Sequence, residues 1–215
     1  MIVLPPSDWF PDWTGQTVII VAGGPSSKRV DLASARGKCR FIAVNNAWEL
    51  VPWADFLYAC DYAWWNCYDG VPDFAGVKVS IERRTIRTWP EIKWLYCSKA
   101  RDDINYEPNS EIGWGGNSGF GALNMAVKFR PKKIILVGYD CDTRHGVHWH
   151  GKHPLGLHNP SPANINRWRR ALERAAMSLR KRHFDVVNAS DISTLNNFQR
   201  VEFAAEIDGL LSEAV

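Results

Sequence analysis

The sequence has no long hydrophobic run and no secretion signal. No apolar stretch approaches the ~20 residues that a membrane-spanning helix needs. Residues 1–13 have neither the charged start nor the extended apolar segment of a signal peptide. We therefore expect a cytoplasmic protein without a membrane span.

Paired cysteines and a strong charge excess are also missing. The five cysteines are odd in number and form no CxxC pair, which predicts reduced, buried thiols. The net charge is only +3, so the composition does not imply a nucleic-acid partner. The arginines and lysines clustered within residues 167–182 are expected to form a solvated helix face. Hydrophobic residues at 46% of a 215-residue chain predict one globular domain.

The most informative stretch covers residues 16–27. Residues 17–22 are small, aliphatic or β-branched, which is typical of a strand buried on both faces. The segment GGPSS follows, and its glycines allow a tight turn with exposed N–H groups. Such a turn after a buried strand predicts a phosphate site. The segment is neither GxGxxG nor a P-loop, so an ordinary strand-to-helix turn stays open as an alternative.

Two further predicted strands also end in polar side chains. The strand at 40–44 leads into Asn45, and the strand at 55–60 leads into Asp61. In an open parallel sheet, ligands bind beyond the carboxyl ends of the strands. Three such endings in consecutive strands predict a ligand site at this edge.

The remaining pattern predicts an α/β fold, namely a mostly parallel sheet with helices on both faces in a single domain. Residues 1–15 are expected to be an extended lead-in, and residues 16–215 the ligand-binding domain. Further strands are predicted at 77–80, 93–96, 133–137 and 184–188. Helices are predicted at 62–68, at 120–129, from the stretch 159–162 to about 182, and at the C-terminus, and a long polar loop is predicted at 99–117.

Five of the six histidines lie within residues 140–158, together with Asp140 and Asp142. An imidazole that titrates near neutrality is suited to take a proton in catalysis. Alternatively, His148 and His150 alternate as strand neighbours do, and Asp140, Asp142 or His153 could complete a metal site with them. A third interpretation is that the histidines only hydrogen-bond backbone and water. Catalysis is favoured, and the other two interpretations stay open.

The order of the motifs resembles a known family. The motifs are GGPSS, AVNN, ACD, NSGFGALNMAV before KKIILVGYD, LGLHNPS, FDVVN and SDISTLNNF. In this order they resemble the bacterial CMP-sialic-acid-dependent sialyltransferases that have a single Rossmann-like domain. The relatives of those enzymes include flagellin glycosylation factors and archaeal 6-hydroxymethylpterin pyrophosphokinase-like proteins. The resemblance covers roughly residues 16–198.

The resemblance implies that residues 16–215 form a Rossmann-like, nucleotide-binding catalytic domain. It implies a glycosyltransferase that uses a nucleotide-activated, CMP-sugar-like donor and a hydroxyl-bearing acceptor. His158 matches the general base. Two tyrosines that contact the leaving phosphate in the sialyltransferases match Asp142 and His148 here, so a protonated His148 would take over phosphate neutralisation. The implied nucleotide-binding residues are Gly23, Gly24, Ser26, Asn45, Asp61, Asn117, Ser118 and Gly119.

Neither a metal nor another cofactor is expected to be required. If a divalent metal is present, the candidate ligands are Asp140, Asp142, His148 and His150. That case corresponds to an alternative function, metal-assisted diphosphate transfer with Mg²⁺ on the two aspartates. A third function is non-catalytic nucleotide binding on the same scaffold. The eleven tryptophans leave room for a homo-oligomer.

Overall fold

The computed structural model describes residues 7–100, 102–108, 110–154 and 156–212, with backbone only for residues 211 and 212. These residues contain ten strands and five α-helices, with 3₁₀ helices at Pro25–Arg29, Leu32–Ala35 and Asn45–Glu49. The elements are β1 (Thr17–Val21), β2 (Arg40–Val44), β3 (Phe56–Tyr58), α1 (Tyr62–Cys67), β4 (Val77–Ser80), α2 (Arg83–Thr88), β5 (Lys93–Trp94), β6 (Tyr96–Ser98), β7 (Glu111–Gly113), α3 (Ser118–Lys128), β8 (Lys133–Val137), α4 (Pro162–Lys181), β9 (Asp185–Asn188), β10 (Gln199–Arg200) and α5 (Phe203–Ser212).

Eight strands form one parallel sheet in the order β10-β9-β8-β1-β2-β3-β4-β5, and β6 pairs with β7 in a separate parallel pair. β1 is central, since Val18 is aligned with Arg40 of β2 on one side and with Ile134 of β8 on the other. The chain builds outward from β1 to β5 and then returns to the other side of β1. The junction of β1 and β8 is thus the topological switch point, where ligands bind in open α/β sheets.

Alternate residues of the central strands pack on opposite faces of the sheet. Ile20, Ile42 and Leu136 share one core with buried residues of α3 and α4. Their neighbours, including Ile19 and Ile135, pack in a second core with residues of α1 and α5. Burial on both faces explains the continuous apolar runs of β1 and β8. The predicted α/β, mostly parallel sheet with helices on both faces is confirmed.

Several predicted elements need correction. The predicted strand at 93–96 is divided between two sheets, because Leu95 separates β5 from β6. The predicted loop at 99–117 contains β7, and neither α2 nor β10 was predicted. In the lead-in, Trp13 is buried and contacts Phe129, with ring centroids 4.9 Å apart. Residues 1–6 of the lead-in lie outside the described residues, and the domain boundary stays a prediction.

The surface features agree in part with the sequence-based expectations. All five cysteines are free thiols, but only Cys60 is buried; Cys67 is exposed, and the other three are partly buried. The clustered arginines of α4 lie on a solvated face, as predicted. Within the described ranges, no helix has both the length and the apolar character needed to cross a membrane.

Candidate functional site

A cleft of about 390 Å³ opens where β1, β2, β3 and β8 end. Its walls come from the β1 turn, the segments after β2 and β3, the start of α3, the segment after β8 and the first half of α4. The predicted site residues on its walls are Gly23, Gly24, Asn45, Asp61, Asn117, Ser118, Gly119, His148 and His158. The candidate metal ligands Asp140, Asp142 and His150 also line it. The structure therefore brings together residues that span most of the chain.

Ser26 is the one predicted site residue that does not line the cleft. It is fully buried, its N–H donates to Asp140 Oδ2 at 3.0 Å, and its hydroxyl donates to Asp140 Oδ1. The expected phosphate contact of Ser26 is corrected accordingly, because its hydroxyl joins the β1 turn to the end of β8.

The two aspartates after β8 are both engaged with protein donors. Burial raises the pKa of the Asp140 carboxyl, while its hydrogen bonds from Ser26 lower it. Asp142 accepts from the Arg144 N–H at 3.0 Å and from the Arg144 guanidinium at 2.5 Å, and these bonds lower the pKa of its carboxyl. Protein donors therefore occupy part of each carboxylate, which disfavours the shared Mg²⁺ site considered from the sequence, and that site stays a prediction.

Gly24 is required by the close approach of the two central strand ends. A Cβ added there would lie 2.5 Å from the Gly138 carbonyl oxygen and 2.6 Å from the Asp140 carboxylate. A Cβ at Gly23 would instead meet His148 Nδ1 at 3.1 Å. The first glycine therefore makes room for the histidine segment, and the second for the β8 turn.

The adjacent asparagines after β2 have different roles. Asn46 is held in the protein, because its amide donates to Tyr68 Oη at 2.5 Å and its carbonyl accepts from Trp64 Nε1 at 2.8 Å. Asn45 has a positive φ of 49° and lines the cleft. Its buried Oδ1 has no hydrogen-bond partner within the described part of the chain. An unpaired buried acceptor is costly, so Asn45 is the member of the pair that is prepared for a ligand.

The turn before α3 presents a helix N-terminus to the cleft. Asn117 caps this helix by accepting from the Phe120 N–H at 2.9 Å. Ser118 Oγ accepts from the Cys60 N–H at 3.2 Å, and the Gly119 carbonyl accepts from Tyr139 Oη at 2.8 Å. The turn is thereby fixed to the ends of β3 and β8. The first N–H groups of a helix lack intrahelical acceptors, which suits this turn to an anion.

Asp61 and His158 face the cleft from different elements. Asp61 follows β3, and His158 lies in the segment before α4. The Asp61 side chain is partly accessible to solvent. Desolvation by the surrounding protein nevertheless raises the pKa of its carboxyl, and the charge of Glu82 raises this pKa further. The charge of His158 lowers it. The two side chains are therefore close enough to interact electrostatically.

Three histidines form a compact group on the cleft wall. The ring centroid of His148 lies 5.1 Å from that of His150 and 4.5 Å from that of His153. One nitrogen from each ring lies within 4.8 Å of the others. Burial, with repulsion from the neighbouring imidazoles, lowers the pKa of His148 to about 4. His148 is thus neutral at neutral pH, which contradicts its expected role as a phosphate-neutralising cation. The segment also forms turns, not the strand that the alternation suggested.

Sequence reasoning missed the aromatic part of the cleft. Trp64 of α1 and Trp168 of α4 line it, together with Tyr139 after β8. Trp64 lies among other aromatic residues of α1, Trp168 lies between arginines of α4, and Tyr139 follows the apolar run of β8, so no shared local pattern marks them as cleft residues. His153 was considered only as an optional ligand, although the spacing His-x-His-x-x-His was visible.

The fold is shared with solved glycosyltransferase structures. The structure of MAf glycosyltransferase from Magnetospirillum magneticum AMB-1 matches with a TM-score of 0.62 and 14% identity, over 99% of this chain and 39% of that one. The sialyltransferase CstII from Campylobacter jejuni, solved with the substrate analogue cytidine-5'-monophosphate, matches with a TM-score of 0.50 and 12% identity, over 93% and 98% of the two chains. This chain therefore spans about two fifths of the first structure and nearly all of the second.

No protein-family model matches the chain, and no curated protein matches it in sequence. At these identities the structural matches establish the fold. The predicted likeness to the sialyltransferase group is thus confirmed at the level of the fold. The pterin pyrophosphokinase part of the resemblance stays a prediction.

Proposed function

We propose that the chain is a glycosyltransferase that uses a nucleotide-activated sugar, with a CMP-sugar as the first candidate donor, and a hydroxyl-bearing acceptor. The observation that carries this proposal is the composition of the cleft at the switch point. The cleft wall supplies backbone N–H donors and the unpaired side-chain oxygen of Asn45, Oδ1. It also supplies the imidazole of His158, which interacts with Asp61. The shared fold with solved glycosyltransferases adds support.

The donor phosphate would lie between the β1 turn and the start of α3. Gly23 and Gly24 allow a close backbone approach there, and the first turn of α3 offers N–H groups around Ser118 and Gly119. Asn45 Oδ1 is suited to accept from an amino or hydroxyl group of the nucleoside. Donors and dipoles that are fixed before the reaction stabilise the developing charge without reorganisation.

His158 is the proposed general base. An imidazole nitrogen takes the proton of the acceptor hydroxyl while the oxygen attacks the anomeric carbon. The bond from that carbon to the donor phosphate breaks, and the nucleotide leaves with the electron pair. Asp61 stabilises the imidazolium that forms, since the two groups already interact across the cleft.

The leaving phosphate meets a different environment from the one that the resemblance implied. His148 is neutral, and Asp142 is paired with Arg144. We therefore assign phosphate stabilisation to the helix N-terminus and the β1 turn. Metal-assisted diphosphate transfer on Asp140 and Asp142 is not favoured, because protein donors already occupy both carboxylates.

The test is a panel of nucleotides and nucleotide-sugars, first by calorimetry and then by hydrolysis without acceptor. On the donor that is turned over, His158→Ala should lower turnover by roughly 10²–10⁴-fold, the usual contribution of a general base. Binding of the nucleotide should persist, because the base contacts the acceptor.

His183→Ala is the matched control. His183 is exposed just beyond α4, at the edge of the sheet opposite the cleft. Equal turnover in the two variants would refute the role of His158. Tight nucleotide binding without turnover of any donor would refute the transferase and favour a nucleotide-binding protein.

A further inference from the structure

The group of three histidines is not used by the proposed transfer reaction. Its members, His148, His150 and His153, lie within six residues of one another in the segment after β8, and all three line the cleft. Histidines this close repel one another once charged, so the arrangement gains nothing from protonation. Three neutral imidazoles are, however, the ligand set of an open zinc site.

We propose that His148, His150 and His153 bind one divalent transition-metal ion, for which zinc is the best match. One nitrogen per ring already lies within 4.8 Å of the other two. Three nitrogens on one zinc ion at about 2.0–2.1 Å are separated by about 3.3 Å in a tetrahedral site. Small side-chain rotations in a turn segment are enough to close this difference.

The unpaired ring nitrogens support the assignment. His148 Nε2 and His153 Nδ1 are buried and have no hydrogen-bond partner among the described residues. Buried polar atoms are normally paired, so two such atoms in adjacent imidazoles point to a missing common ligand. Both atoms would be satisfied by a single cation.

The β1 turn and Asn159 hold the histidine segment in place, as neighbouring groups usually do for metal-ligating histidines. The Nδ1 of His148 is the ring atom nearest to the space above Gly23, so this side of the ring faces the β1 turn. The opposite nitrogen, Nε2, is the unpaired one and is the atom left for the ion. The His153 N–H donates to Asn159 Oδ1 at 2.9 Å, and the Trp149 N–H donates to the Gly23 carbonyl at 2.9 Å. These bonds fix the backbone of the segment on both sides.

Two features decide the class of metal. Imidazole ligands suit zinc, copper, iron and nickel, whereas Mg²⁺ and Ca²⁺ require oxygen ligands. Asp140 and Asp142 are engaged elsewhere, so they do not complete an oxygen-rich site. Three protein nitrogens leave the fourth zinc position to water or another oxygen ligand in the cleft.

The first measurement uses the full-length protein without any nucleotide, so its result does not depend on the proposed transferase. The protein is freed of metal with a chelator, incubated with zinc and desalted, and its zinc content is determined. We expect about one equivalent of zinc, and no comparable uptake of Mg²⁺. A zinc content well below one equivalent would overturn the proposal, whatever the variants do.

The second measurement compares variants by calorimetric titration with zinc. His148→Ala, His150→Ala and His153→Ala should each weaken binding by at least about 100-fold, since even outer-shell changes cost up to that much. His145→Ala is the matched control, because His145 lies in the same segment but is exposed and outside the group. Circular dichroism of each metal-free variant checks that it is folded. Equal affinity in His153→Ala and His145→Ala would refute the site.

One further variant, Lys28→Ala, should strengthen binding. Lys28 is exposed, its ammonium lies 4.8 Å from the centroid of the Trp149 ring, and its charge acts on His150. Lys28→Ala removes a positive charge near the proposed ion, so the affinity for zinc should rise about two- to tenfold, as expected for an exposed charge. A fall in affinity would contradict the proposed position of the ion.

Discussion

Replacing Ser26 by alanine tests whether the joint between the β1 turn and the end of β8 stabilises the fold. Ser26 is fully buried, and Asp140 is only 2% exposed. The hydroxyl of Ser26 donates to one carboxylate oxygen, and its N–H donates to the other at 3.0 Å. Ser26→Ala removes only the first of these bonds and leaves a buried carboxylate oxygen without that donor.

The expected loss follows from the charge of the acceptor. A hydrogen bond to a charged group contributes about 1.5–3 kcal/mol, so the free energy of unfolding should fall by that amount at neutral pH. For a chain of this length, 1 kcal/mol corresponds to about 2–4 °C, which gives a fall in Tm of roughly 3–12 °C.

The loss should depend on pH in a defined direction. Burial raises the pKa of Asp140 in the folded state, and the bonds from Ser26 hold it down. A carboxyl with a raised pKa binds more protons folded than unfolded, so its destabilising effect grows as the pH rises through that pKa. Removing the hydroxyl raises the pKa further. The difference between wild type and Ser26→Ala should therefore be largest at neutral pH and shrink on acidification.

The assay is urea unfolding at neutral and mildly acidic pH, with Ser34→Ala as the matched control. The Ser34 hydroxyl also makes one hydrogen bond, to the Asp31 carbonyl at 2.7 Å, but at the surface. Its loss should cost less than about 0.5 kcal/mol. Equal losses in the two variants, or a Ser26→Ala loss that is independent of pH, would refute the proposed stabilising role.

Three further variants have expected outcomes, and Gly209→Ala is the control for the third. Asn45→Gly keeps the positive φ and removes the unpaired Oδ1, so nucleotide affinity measured by calorimetry should fall while Tm changes little; unchanged affinity would remove Asn45 from the site. Asp61→Ala should also weaken nucleotide binding with the fold intact by circular dichroism, because Asp61 lies at a strand end. Gly24→Ala should lower the free energy of unfolding by about 1–3 kcal/mol, because the added Cβ would lie 2.5 Å from a backbone oxygen. Gly209→Ala in α5, where no atom of the described residues lies within 4 Å of the added Cβ, should not destabilise the protein.

The strongest predictions from the sequence concern elements whose pattern is local. β2, β4 and β8 have the predicted bounds, and α4 begins at Pro162, within the predicted starting stretch 159–162. Continuous apolar runs and proline at a helix start are local signals, so a single sequence contains them. β5, β6 and β10 are two or three residues long, and their pairing partners, rather than their own residues, make them strands.

The candidate site likewise has features that the local sequence predicts and features that depend on tertiary packing. The sequence by itself showed polar residues at the ends of β1, β2 and β3. Because parallel strands end at the same edge of a sheet, these residues predicted a ligand site there. Only the tertiary structure decided which of those residues face the cleft. It buried Ser26 against Asp140 and left the Asn45 carbonyl unpaired. It also brought three histidines to within 4.8 Å of one another. Distances and partners of this kind depend on how loops from distant parts of the chain pack together, and no local pattern encodes that packing.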